Sequence, residues 1–129
     1  MTDIARRFLP EHLLNLARSI IGDPRPDLIG TWPRASALLG RQALEIALDQ
    51  FWAAVAPGVE KASARAQLIC LPRYAEVELA RRVQFAWHAL SAACHHHAYE
   101  LPPVVEELIG WLDDVESLVN EVQRRGMPD

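Results

Sequence analysis

Hydrophobic residues recur along the chain at spacings of three and four, which is the period of an amphipathic α-helix. No stretch alternates apolar and polar residues for long enough to indicate a β-strand. Proline and glycine divide the chain into five segments, which predicts helices over residues 10–21, 33–56, 63–71, 72–100 and 103–125. The fold class is therefore predicted to be all-α.

The fourth and fifth predicted helices each carry one continuous apolar stripe. The fourth-helix stripe comprises Val83, Trp87, Leu90, Cys94, His97 and Leu101. The fifth-helix stripe comprises Val104, Leu108, Trp111, Val115, Leu118 and Val122. Because the Pro102-Pro103 corner separates them, we expect an antiparallel hairpin with a shallow crossing angle. If Trp111 lies in the seam, Trp111→Ala should cost about 3–5 kcal/mol.

The first two helices are also amphipathic. The expected buried positions are Leu13, Leu16, Ala17 and Ile20 in the first helix, and Ala37, Leu44, Leu48, Phe51 and Val55 in the second. Arg41, Glu45 and Asp49 form a polar stripe in which Arg41 and Glu45 are predicted to pair. The result is one domain over 1–129, with its core at about 10–125: an up-and-down bundle of four main helices plus one short helix.

The charge of the chain limits the kinds of ligand that it is expected to bind. The net charge is −4, which argues against a general polyanion binder. Residues 102–129 hold seven acidic and two basic side chains, so a nucleic-acid contact would lie elsewhere. We expect no membrane association and a cytoplasmic location, since no apolar run approaches the length of a membrane span and no secretion signal is recognised. Cys70 and Cys94 are then expected to stay reduced.

A second stripe of the fourth helix carries groups with acid–base and phosphate chemistry. Its members are Arg81, His88, Ser91, His95 and Tyr99, with Arg82 beside it. Histidine exchanges a proton near neutral pH, and arginine can hold two phosphate oxygens at once. These groups would suffice for RNA cleavage without a metal, in which a base takes the 2′-hydroxyl proton and a cation stabilises the phosphorane. The alternative is a solvated helix surface.

The run from Cys94 to Glu100 also contains three consecutive histidines. Neighbouring residues on a helix point about 100° apart, so they cannot all face one ion. Cys94, His97 and Glu100 are spaced by three and could share a face, with zinc as the metal that suits such ligands. Because Cys94 lies on the apolar stripe, a core role is favoured for it. We assign no metal and no cofactor, since no glycine-rich phosphate loop is present either.

Two segments resemble HEPN domains, most closely an actinobacterial branch of HEPN-like small proteins. The segment 37–45, with Trp52 after it, resembles the second HEPN helix, and His97-Ala98-Tyr99 resembles the H-x-Y ending of that family. The resemblance covers about residues 10–122, although its specific motifs occupy a small part of that range.

The resemblance implies a helical bundle that dimerises and places two copies of its functional residues at a shared cleft. It implies ribonuclease activity through an R-x(4–6)-H motif, and a nucleotidyltransferase partner in a toxin–antitoxin pair. Arg82 and His88 fit that spacing with five intervening residues, and Arg81 and His88 fit it with six. The candidate catalytic residues are Arg82, His88, His95, His97 and Tyr99.

The leading functional hypothesis is a homodimeric module that binds RNA or a nucleotide. The four tryptophans favour dimerisation, because they offer more aromatic surface than a small bundle readily buries. The alternatives are a metal-independent ribonuclease and a structural partner subunit.

Overall fold

The computed structural model describes residues 9–22, 32–95 and 103–126, and these residues form helices without strands. The α-helices in this part of the chain are α1 (Pro10–Gly22), α2 (Trp32–Val55), α3 (Ala64–Cys70), α4 (Val77–Cys94) and α5 (Val105–Gly126). Short 3-10 helices, Val59–Lys61 and Leu71–Arg73, flank α3. The predicted all-α class is confirmed, and the bounds of four helices agree closely with those predicted.

The start of α4 differs from the prediction, which began the fourth helix at residue 72. Pro72 lies instead in the 3-10 helix Leu71–Arg73. The helix then begins after Glu76, whose carboxylate accepts a hydrogen bond from the Leu79 N–H over 3.0 Å. Such a cap satisfies one of the N–H groups that have no partner within the helix. The predicted extension of this helix over residues 96–100 lies outside the described residues.

Helix α2 is the centre of the bundle, since it packs against α1, α4 and α5. Helix α5 also packs against α4 and α1. The buried residues of α2 are Ser36, Ala37, Gly40, Ala43, Leu44, Ala47, Leu48, Phe51 and Trp52. Burial of this apolar surface is the main favourable term in folding. The hydrophobic face predicted for this helix is confirmed, with Val55 partly buried at its end.

The apolar stripe predicted for the fifth helix is confirmed at most of its positions. Leu108, Val115, Leu118 and Val122 are buried, but Val104 lies before the helix and is 55% exposed. Trp111 is only partly buried against the core. Leu112, which the prediction left out, is fully buried in its place. The loss expected for Trp111→Ala is therefore smaller than the sequence suggested, because the ring leaves a smaller cavity when removed.

The face predicted for the first helix needs two corrections. Ile20 is only partly buried, and its neighbour Ile21 packs against the core instead. Leu13 and Ala17 are buried, whereas Leu16 is 51% exposed and Leu14 takes a buried position. Helix α1 packs on the bundle with Leu13, Leu14 and Ala17 on its buried side. Because Leu13 and Leu14 are consecutive, the sequence pattern allowed two apolar faces. In the same contact, the buried Ser36 hydroxyl donates a hydrogen bond to the Ala17 carbonyl oxygen over 3.0 Å.

Three helices meet closely at Gly40. A methyl group added to Gly40 would lie 2.6 Å from Cδ2 of Leu112 and 3.5 Å from Cδ2 of Leu90. Both leucines are fully buried. The missing side chain at position 40 therefore sets how closely α5 and α4 approach α2.

Candidate functional site

An open groove of about 330 Å³ separates α3 from α4. We call it the α3–α4 groove. Its lining combines cationic, apolar and imidazole side chains: Arg65, Leu68, Ile69, Arg81, Gln84, Phe85 and His88. Concave surfaces with a few polar groups among apolar ones are the usual form of ligand sites.

The two walls of the groove follow from helical spacing. Arg81, Phe85 and His88 are four and three residues apart on α4, so they lie on the same side of that helix. Arg65 and Ile69, four residues apart, do the same on α3. The groove thus brings together two short stripes from different helices, and His88 lies on the α4 wall with Arg81.

Two glutamines fix α3 in position. The Gln84 side chain donates a hydrogen bond from Nε2 to the Leu68 carbonyl oxygen over 2.7 Å, which links α4 to the last turn of α3. The buried Gln67 donates from Nε2 to the carbonyl oxygens of Ala62 (2.9 Å) and Glu60 (3.2 Å). These hydrogen bonds bring side-chain donors to carbonyl groups at the ends of short helices.

The groove is locally basic although the whole chain is acidic. Two arginines, Arg65 and Arg81, line it, and no acidic side chain of the described part of the chain does. Among the residues that the structure describes, Arg65 forms no ion pair. Arg81 donates to both carboxylate oxygens of Glu78 over 2.7 Å, and this hydrogen bond lowers the pKa of Glu78 below its usual value. That pair is exposed, so solvent weakens it.

Large apolar side chains are exposed beside these cations. Phe85 is 61% exposed on the α4 wall, and Ile69 is 70% exposed on the α3 wall. Both side chains line the groove, so apolar surface is open to solvent beside its cations.

Arg82 does not lie in the groove with His88. Its Nη1 atom is 3.6 Å from Oδ1 of Asp114 and donates to the Ser117 hydroxyl over 3.3 Å, so the side chain turns toward α5. Six residues along a helix correspond to about 120° around its axis, which separates Arg82 from His88. Burial raises the pKa of Asp114, while the Arg82 charge and hydrogen bond act in the opposite direction. The geometry therefore makes Arg82 a link between helices.

The other predicted site residues lie toward the end of α4. His95 is exposed at the C-terminal cap, where its backbone N–H donates to the Ala92 carbonyl oxygen over 3.1 Å. It is seven residues from His88 and so lies on the same side of the helix. His97 and Tyr99 lie outside the described residues, and their roles stay predictions.

A polar cluster lies on the contact between α2 and α4. Glu45 Oε2 accepts a hydrogen bond from Trp87 Nε1 over 3.1 Å and lies 3.3 Å from Arg41 Nε, which confirms the predicted Arg41–Glu45 pair. Burial raises the pKa of the nearby Cys94 thiol, and the charge of Arg41 offsets this in part. The thiol is therefore a poor nucleophile at neutral pH, because the thiolate is the reactive form.

The described residues contain only one of the three predicted metal ligands, Cys94. No three histidine, cysteine, aspartate or glutamate side chains among them come together as metal ligands would. His97 and Glu100, which were the proposed companions of Cys94, lie outside this part of the chain.

Sequence reasoning missed Arg65 and Phe85. A signal for Phe85 was present, since it is a large apolar residue within the otherwise polar stripe of α4. No comparable signal existed for Arg65, because nothing in the sequence shows which residues of α3 face α4.

None of the described helices combines the length and the apolar character needed to cross a membrane. Comparison of the chain with protein-family models, curated proteins and solved structures gave no match.

Proposed function

We propose that this protein is an RNA-binding helical bundle that holds RNA phosphates in the α3–α4 groove. The observation that carries the proposal is that Arg65 and Arg81 come from different helices and border the same groove. Guanidinium groups bind phosphate through two parallel hydrogen bonds. The resemblance to HEPN domains, whose members include ribonucleases, supports RNA as the polyanion. Residues 102–129, with seven acidic and two basic side chains, disfavour binding at the C-terminal part of the chain.

Two adjacent arginines provide a matched test. Arg81→Ala removes a groove cation, whereas Arg82→Ala removes a cation that contacts α5. Binding of a labelled mixed-sequence RNA, measured by fluorescence anisotropy over a range of salt concentrations, should weaken for Arg81→Ala, with a salt slope smaller by about one. Arg82→Ala should bind like the wild type. Arg65→Ala should behave like Arg81→Ala.

Thermal unfolding of each variant is the control, since solvent screens exposed ion pairs and their removal changes stability little. Equal loss of affinity in Arg81→Ala and Arg82→Ala would contradict a specific role for the groove. Absence of RNA binding by the wild type would contradict the proposed function itself.

A second candidate function is metal-independent RNA cleavage by Arg81 and His88. It is favoured because these two residues, which match the R-x(4–6)-H spacing with six intervening residues, share the groove. His88 would take the 2′-hydroxyl proton as the 2′-oxygen bonds to phosphorus. The bond to the 5′-oxygen would break, with a proton from solvent completing the 5′-hydroxyl, while Arg81 stabilises the phosphorane charge.

Cleavage is tested by incubating the protein with a mixed RNA pool in the presence of a chelator. We expect His88→Ala to lose cleavage while keeping most of its RNA affinity, and His12→Ala, an exposed histidine on α1, to cleave like the wild type. Loss in His97→Ala instead would favour the H-x-Y ending as the reactive element. No cleavage by any preparation would leave binding as the function.

The predicted dimer and partner belong to the same proposal. Light scattering at micromolar concentration should give twice the mass of one chain if the protein is a homodimer. Co-purification with a nucleotidyltransferase encoded nearby would support the toxin–antitoxin hypothesis. Stable association with an unrelated protein, without RNA binding, would favour a structural partner subunit.

A further inference from the structure

We infer that Phe85 is a base-stacking residue, so that the α3–α4 groove takes single-stranded RNA with an unpaired base on the Phe85 ring. This inference rests on the proposed function and adds the form of RNA that is bound. The ring is 61% exposed and lines the groove with Arg81, four residues before it, and Arg65 on the facing wall.

The chemistry of these groups selects a ligand with both flat apolar faces and phosphates. An aromatic side chain offers its face to a nucleobase, and base–aromatic stacking is the main sequence-tolerant contact in single-strand binding. Ile69, 70% exposed on the other wall, can cover the edge of a base that lies in the groove. Arginines on both sides would then hold the phosphates that flank this base.

A duplex cannot make this contact without being opened. Its bases are already stacked on one another, so it presents phosphates, sugars and base edges to a protein. The two arginines would still meet duplex phosphates, but Phe85 would find no exposed base face. The groove should therefore distinguish single strands from duplexes through Phe85 and not through its charge.

A protein partner is the competing occupant, because arginine and phenylalanine are also common at protein interfaces. The charge of the surface favours RNA. Among the described residues, Arg65 and Arg81 line the groove and no acidic side chain does, and Arg65 forms no ion pair. A polyanion can place a phosphate beside each of these arginines.

The test compares one short RNA as a single strand with the same RNA annealed to its complement. Wild-type protein should prefer the single strand, and Phe85→Ala should lower the single-strand affinity by about tenfold while leaving the duplex affinity unchanged. Phe85→Trp should retain the single-strand affinity, since it restores an aromatic face. Val77→Ala is the matched control, because Val77 is a 67% exposed apolar residue of α4 outside the groove lining.

A single strand that carries 2-aminopurine gives an independent readout, since stacking on Phe85 should quench its fluorescence in the wild type and not in Phe85→Ala. Equal affinity for both RNA forms, with no effect of Phe85→Ala, would overturn this inference and leave the proposed function standing. Binding of neither form would overturn both. Loss of a co-purifying protein in Phe85→Ala, without any change in RNA affinity, would assign the surface to a protein partner.

Discussion

Replacement of Leu112 by alanine is expected to lower the free energy of unfolding by about 2–5 kcal/mol. Leu112 is fully buried and projects from α5 toward Gly40 of α2. The cavity left by the missing atoms cannot be filled from the facing position, because glycine has no side chain to move into it. The loss should therefore lie in the upper part of that range, as measured by urea unfolding.

Ile109→Ala is the control for Leu112→Ala, since both residues belong to α5 and Ile109 is 38% exposed. We expect a loss of less than about 1 kcal/mol for this variant, because surface substitutions remove few contacts. Similar losses in the two variants would show that α5 does not pack on α2 as described.

Substitution of Gly40 by alanine is expected to destabilise the protein by up to about 2 kcal/mol, because a steric cost of about 1–3 kcal/mol exceeds the gain in helix propensity. Alanine is the better helix former by roughly 1 kcal/mol, so intrinsic propensity alone predicts the opposite sign. The added methyl group would lie 2.6 Å from Leu112 Cδ2, so the buried Leu112 side chain would have to leave its packed position. Chemical unfolding of the purified variant gives both the sign and the size of the effect.

Gly110 supplies the matched control for Gly40, because it is exposed in α5 and a methyl group there would meet no atom within 4 Å. Gly110→Ala should stabilise the protein by roughly 0.5–1 kcal/mol. The double variant Gly40→Ala/Leu112→Ala should lose less than the two single losses added together, because the new methyl group occupies part of the cavity. Additive losses would contradict direct contact between the two positions.

The sequence predicted the helices and most of the core because those depend on local periodicity. Leu108, Val115 and Val122 recur with the helical period, and all three are buried in the fold. The errors occurred where a local pattern allows two solutions. Leu14 and Leu16 both fit an apolar face of α1. Pro72 also fits the first position of a helix, but in the fold the helix begins later, after the cap formed by the Glu76 carboxylate.

The candidate site was only partly predictable, for a different physical reason. His88 was identified from its chemistry, but its partner depended on which way each arginine turns. Arg81 and Arg82 are adjacent in sequence, and only the packing of α4 against α5 decides which of them meets the groove. Arg65 lies on another helix, and no spacing rule relates residues of separate helices before the fold is known.

Arg81 and Arg82 point about 100° apart on α4, so that one lines the groove while the other contacts α5. Deletion of one residue early in α4 would rotate the rest of the helix by about 100°. Arg81, Phe85 and His88 would then no longer face α3. Val83 and Leu90 would leave the core at the same time. An insertion or deletion within this helix should therefore destabilise the protein as much as the truncation of a core side chain. The groove can then change only by substitution of the side chains that line it.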